Sequence, residues 1–139
     1  MKVKDFMVRD VKFCSPNSNL AQVAEIMWNG ACGTLPVLTD SGKLWSMITD
    51  RDITIRATAA GRDPKTTRVS DCVSSEIVYG FEDQDVDDAQ ALMEQKQIRR
   101  LPVLSRDKQL TGIVALADLA TKAGAAKAGQ ATQAISSSS

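Results

Sequence analysis

Apolar and polar positions along this chain switch between helical and strand periods, and the switch happens twice. Leu20, Val23, Ala24 and Met27 follow the spacing of one helix face, and Asn19 before them is a good N-cap. Val86, Ala89 and Met93 trace the same face after Asp85, with Asp87 and Asp88 suited to a first turn. A short apolar strand is predicted next, Leu35–Leu38 or Leu101–Leu104. Then comes a polar turn, Thr39-Asp40-Ser41-Gly42 or Ser105-Arg106-Asp107-Lys108. A second strand runs over Leu44–Ile48 or Leu110–Val114, and a closing helix begins near Thr49 or Ala115. An extended segment leads into each half, Val11-Lys12-Phe13 or Ile77-Val78-Tyr79. The predicted plan is β-α-β-β-α, twice, in the α/β (α+β) class.

The two halves are a true internal repeat. Leu35-Pro36-Val37-Leu38 returns 66 positions later as Leu101-Pro102-Val103-Leu104. The same offset pairs Val3 with Val69, Asp5 with Asp71, Met27 with Met93, Leu44 with Leu110 and Asp52 with Asp118, without a gap. The expected organisation is a first motif over 1–54, a linker with a helix end over 55–66, and a second motif over 67–122. Gly61-Arg62-Asp63-Pro64 reads as the helix stop and turn in the linker. Residues 123–139 read as an Ala-rich helix extension and a disordered Ser-rich tail. One such motif is too small to cover both faces of its own sheet, so the two are expected to pack as a pseudo-twofold pair. Similar clefts between them are where a ligand should be sought.

Composition narrows the function. The 139 residues carry 17 Lys+Arg and 17 Asp+Glu, a formal net charge of zero. No basic field points to nucleic acid or to acidic membranes. Neither a leader peptide nor an apolar run of membrane-spanning length is evident, so the expected location is cytoplasmic. The chain has no histidine and only Cys14, Cys32 and Cys72, which speaks against a Cys/His zinc site and for buried free thiols. No nucleophile elbow and no phosphate-binding glycine string occurs, so the protein is not expected to be an enzyme. The acidic stretch Glu82, Asp83, Asp85, Asp87 and Asp88 fits a solvated helix start better than a carboxylate pair; a weak divalent-ion role stays open.

Asn17–Ile53 resembles the first motif of a CBS (cystathionine-β-synthase-type) pair, through Leu35-Pro36-Val37 and Thr49-Asp50-Arg51-Asp52-Ile53. Gln97–Leu119 resembles the second, through Ile98-Arg99-Arg100-Leu101-Pro102-Val103-Leu104, Gly112-Ile113-Val114 and Asp118. The chain is thus similar to stand-alone bacterial CBS-pair proteins. The resemblance implies a regulatory module that binds an adenosyl ligand (AMP, ADP, ATP, NAD or S-adenosylmethionine), usually as a homodimer, and acts on an unknown partner protein. No required cofactor is implied, with magnesium beside the phosphates left open. The alternative is a dimerisation or docking module without nucleotide binding.

The candidate site follows from this. A carboxylate accepts hydrogen bonds from both ribose hydroxyls, so Asp52, with Thr49 beside it, is the leading ribose contact, and Asp118 its repeat. Thr49-x-x-Asp52 also reads as a helix capping box that needs no ligand. The second half has Ala115 in place of Thr49, which predicts unequal sites. The resemblance implies that a nucleotide on Asp52 also meets Ile77, Val78 and Tyr79; Tyr79 reads equally as an ordinary sheet residue. It also implies basic residues near the phosphates, for which Arg99 and Arg100 are candidates and Arg51 a third. Ile53 and Ile55 are candidate dimer contacts.

Overall fold

The computed structural model describes residues 1–75 and 77–121. The predicted Ala-rich extension and Ser-rich tail lie outside these residues. The chain divides into two compact units. Of the described residues, one comprises Asp10–Val78 with Asp107–Leu110; the other comprises Met1–Arg9, Tyr79–Arg106 and residues 111–121. They are called here the first-half and second-half units.

In the first-half unit, helix α1 spans Leu20–Gly30. Asn19 and Gln22 close a reciprocal cap: the Gln22 N–H donates to Asn19 Oδ1 at 2.9 Å, and the Asn19 N–H donates to Gln22 Oε1 at 3.1 Å. Two further N–H groups of the first turn are satisfied from afar, Leu20 by the Thr67 carbonyl and Ala21 by that of Pro64. Strands β1 (Thr34–Leu38) and β2 (Leu44–Thr49) pair antiparallel, from Thr34 opposite Thr49 to Leu38 opposite Leu44, with an irregularity at Val37/Leu38. Leu35, Pro36 and Val37 are consecutively buried, as expected of a strand covered on both faces. Cys14 forms a parallel bridge to Val37 on the free side of β1. Helix α2 (Asp50–Asp52) runs on as a π-helix over Ile53–Thr58. The chain then turns through Gly61, whose φ of +72° suits glycine, and a 3-10 turn follows at Val69–Asp71. Leu20, Val23, Met27, Leu35, Val37, Ile48, Ala57 and Val69 form the core.

The second-half unit repeats the scheme. Strand β3 (Gly80–Phe81) lies parallel to β4 (Arg100–Leu104), and β5 (Leu110–Ala115) completes the order β3-β4-β5. Helix α3 spans Val86–Lys96, and a last helix, α4, occupies 116–121. Val8 bridges Ile113 through two backbone bonds of 2.8 and 2.9 Å. A Cβ on Gly112 would lie 2.6 Å from the Val8 carbonyl oxygen, so only glycine permits that approach. Val3, Val86, Met93, Leu101, Val103, Val114 and Leu119 are buried.

The leading 3-10 turns belong to the opposite halves. The Val3 N–H donates to the Gln84 carbonyl, and the Val86 N–H to that of Met1. Correspondingly, the Val69 N–H donates to Ser18 and the Leu20 N–H to Thr67. Each unit is therefore completed by the opening turn of the other repeat, and its limits differ from the repeat boundary.

Three local expectations change. Val11-Lys12-Phe13 and Ile77-Val78-Tyr79 are not strands; pairing starts later, at Cys14 and Gly80. Those two positions are small enough to lie against the adjacent strand, and Phe13 is 57% exposed. Asp85 holds the N-cap position of α3, but its side chain makes no cap hydrogen bond and instead accepts from Lys2 Nζ at 2.9 Å. Ile53 packs against the core, leaving Ile55 as the outward member of that pair.

Candidate functional site

Thr49 ends β2 and caps α2, and the capping box is complete. The Asp52 N–H donates to Thr49 Oγ1 at 3.1 Å, and the Thr49 N–H donates to Asp52 Oδ2 at 2.9 Å. This pins one oxygen of the Asp52 carboxylate, Oδ2. Its other oxygen, Oδ1, accepts no hydrogen bond among the described residues and lies 3.7 Å from Arg56 Nε. The Asp52 side chain is 23% exposed, so that oxygen is partly sheltered while still open to an incoming hydroxyl.

Asp50 sits over Gly33. A Cβ on Gly33 would come 2.8 Å from Asp50 Oδ2, while Asp50 Oδ1 accepts the Arg51 N–H at 2.8 Å. Arg51 is exposed. Ile77 and Val78 are half-buried and belong to the same unit as Thr49, Arg51 and Asp52.

Tyr79, Arg99, Arg100 and Asp118 fall in the second-half unit. The α4 start reproduces the α2 start in backbone terms: Leu116 N–H donates to the Arg99 carbonyl at 2.9 Å, as Asp50 N–H donates to that of Gly33 at 2.9 Å. The side chains differ. Ala115 offers no cap, and Asp118, half-buried, has no hydrogen-bond or ion-pair partner among the described residues. Arg99 and Arg100 are both exposed, Arg100 opening β4. Tyr79 meets Phe81 edge-to-face, with centroids 5.6 Å apart and planes at 88°, and Arg106 covers Phe81 at 4.1 Å. The aromatic contact gives Tyr79 a place inside its own unit.

The acidic stretch is partly occupied by cations. Arg106 binds Asp83 and Lys2 binds Asp85, and each partner holds its carboxyl below the usual range. Among the described residues no three His, Cys, Asp or Glu side chains come together as a metal site. Burial pushes the Cys14 thiol up to about 11 and raises that of Cys72 as well, keeping both protonated near neutrality. None of the described helices is long and apolar enough to cross a membrane.

Arg56 is the residue that sequence reading missed. The available signal was its i, i+4 spacing from Asp52, with the acid on the N-terminal side, as helix ion pairs prefer.

Two repeated α/β motifs, each opening its closing helix on a half-buried aspartate, define a tandem-repeat module, and its relatives place it. Residues 3–57 and 69–124 match the CBS domain, and the chain belongs to that family. It is 46% identical to the CBS domain-containing protein YhcV of Bacillus subtilis over 85% of this chain and 82% of that protein. It is 35% identical to Hypoxic response protein 1 of Mycobacterium tuberculosis over 84% of this chain and 81% of that protein. The crystal structure of Hypoxic Response Protein I with two coordinated zinc ions superposes with a TM-score of 0.79 at 33% identity, covering 87% of this chain and 98% of that one. The fold is also shared with CBSX2 in complex with AMP (TM-score 0.76, 22% identity, 91% of this chain and 98% of that one). It is shared too with the CBS domain pair of MJ0100 in complex with 5′-methylthioadenosine and S-adenosyl-L-methionine (TM-score 0.77, 24% identity, 90% of this chain and 97% of that one).

Proposed function

We propose that the protein is a non-catalytic regulatory module that binds an adenine nucleotide, AMP, ADP, ATP or NAD, principally at Asp52. The observation carrying this is the Asp52 carboxylate itself. One oxygen is held by the Thr49 N–H, and the other accepts no hydrogen bond among the described residues. Such an acceptor suits a ribose hydroxyl. Ile77 and Val78, in the same unit, would contact the adenine, with Tyr79 following them in the chain. Arg51, Arg99 and Arg100 would meet phosphates, and any magnesium would accompany the phosphates. Asp118 would carry a weaker second site, because Ala115 leaves its carboxylate without a threonine beside it. Two fold neighbours hold adenosyl ligands, which supports the ligand class. A homodimer acting on a protein partner, in the cytoplasm, completes this reading.

One observation favours the alternative of a docking or dimerisation module without nucleotide. The Thr49–Asp52 pair already satisfies two backbone N–H groups as a cap. Titration calorimetry with AMP, ATP, NAD and S-adenosylmethionine separates the readings. Binding is expected, with Asp52→Ala weakening it about tenfold or more and Asp118→Ala less. At a hundred times Kd, ligand should add about 2.7 kcal/mol of stability. No heat and no thermal shift with any of the four at millimolar concentration, on protein verified free of co-purified nucleotide, would leave the docking reading standing.

A further inference from the structure

Arg56 makes two interactions that belong to different parts of the first-half unit. Its Nε lies 3.7 Å from Asp52 Oδ1, and its Nη1 donates to the Cys72 carbonyl oxygen at 3.3 Å. The guanidinium thus ties the carboxylate at the α2 start to the chain that leads into Ile77 and Val78. A second tie lies two residues on, where Ser46 Oγ donates to the Ser74 carbonyl at 2.6 Å. Arg56 itself projects from the π-helix over Ile53–Thr58. Such wide turns are uncommon and are often found at functional sites.

We propose that Arg56 is a positioning residue: it fixes the free oxygen of Asp52 for ribose and couples ribose engagement there to the anchoring of the segment after Cys72. The coupling rests on the nucleotide reading above; the anchoring does not. A carboxylate pinned at one oxygen only can still swing the other. With Thr49 N–H on Oδ2 and Arg56 facing Oδ1, both oxygens have assigned directions. A hydroxyl arriving at Oδ1 shares that oxygen with Arg56 and so changes how firmly the guanidinium is held. Through the same planar group this changes the hold on the Cys72 carbonyl. Ligand occupancy is thereby converted into order or slack in residues 73–75.

The test uses the full chain, wild type and the variants Arg56→Gln and Arg56→Lys, with adenosine, 2′-deoxyadenosine and AMP as probes. Wild type is expected to prefer adenosine to 2′-deoxyadenosine by about tenfold, the scale of one charge-assisted hydrogen bond. Arg56→Gln should reduce that preference severalfold while leaving the AMP-to-adenosine ratio unchanged, and Arg56→Lys should recover part of it. Without ligand, amide hydrogen exchange at residues 73–75 should be faster in Arg56→Gln. Equal loss for both nucleosides would make Arg56 merely structural. A changed AMP-to-adenosine ratio would make it a phosphate contact instead. Unchanged exchange at 73–75 would overturn the anchor. Wild type that binds none of the probes would overturn the nucleotide reading and the coupling with it, leaving the exchange result to decide the anchor alone.

Discussion

At the start of the closing helix the two units share a backbone and differ in chemistry. Gly33 lies under Asp50 in one, and Arg99 and Leu116 hold the same places in the other, yet the same backbone hydrogen bond forms in both at 2.9 Å. The difference extends outward. Pro16 stands where the second half has Glu82, whose N–H reaches the Leu104 carbonyl at 3.0 Å. Proline has no such donor, so the first half keeps a single bridge at Cys14 where the second has a two-residue strand. Ser46 reaches Ser74 through its hydroxyl, while its counterpart Gly112 lets Val8 pair directly. Backbone hydrogen bonds and buried apolar positions therefore maintain the scaffold, and the side chains at its ends are free to differ between the units.

The comparison is broken most forcefully in the cores. Leu35 and Leu101 are 1% and 0% exposed. Truncation of either to alanine is expected to cost about 3 kcal/mol through lost burial and a residual cavity. Urea melts in which the two differ by more than about 1 kcal/mol would show that the scaffolds are not energetically equivalent. The next effect is at the position where they part. Gly112→Ala is expected to cost about 2 kcal/mol, because the new Cβ would stand 2.6 Å from the Val8 oxygen. Ser46→Ala should cost about 1 kcal/mol, for one lost hydrogen bond. A harmless Gly112→Ala would mean that Val8 does not pair with β5 in solution.

Alkaline pH supplies a third test, since Cys14 corresponds to Gly80 and only one unit carries a thiol there. The folded thiol is raised from 9.0 to about 11, so above pH about 9 the unfolded chain releases this proton first. Stability should fall from about pH 9 to about 11, by at most about 1.4 kcal/mol per pH unit from this group. Cys14→Ala should flatten that part of the profile in thermal melts; an unchanged slope would remove the assignment. The smallest effect lies in the turns. Gly42 and Lys108 occupy matching positions at φ of +83° and +64°. Lys108→Gly should raise stability by about 0.5–1 kcal/mol by relieving the left-handed lysine, and Gly42→Ala should lower it similarly. Differential scanning fluorimetry on the pair decides whether both turns keep this geometry.

Much of this was legible in the chain. The helix caps at Asn19, the strand signatures at Leu35 and Leu101, and the Thr49–Asp52 pair are all local patterns, set by spacings of one to four residues. Thr49 against Ala115 likewise shows in the sequence that only the first half can close a threonine capping box. Two contacts are not legible there because their partner is a distant backbone carbonyl, which carries no side-chain signature. Arg56 finds Cys72 and Ser46 finds Ser74 in this way. The leading segments begin pairing later than their apolar pattern suggests for a related reason. A three-residue apolar run such as Val11-Lys12-Phe13 does not reveal which backbone groups will meet β1.

The composition of the units is the clearest case. Sequence by itself determined two copies of one motif, because hydrophobic period and capping chemistry repeat at a constant offset. It could not decide which opening turn joins which half. Repetition makes Ser18 and Gln84 equivalent acceptors, and Val3 and Val69 equivalent donors. Only the tertiary structure assigns Val3 to Gln84 and Val69 to Ser18, since the path of the chain brings one carbonyl, and not its repeat, within reach of each N–H.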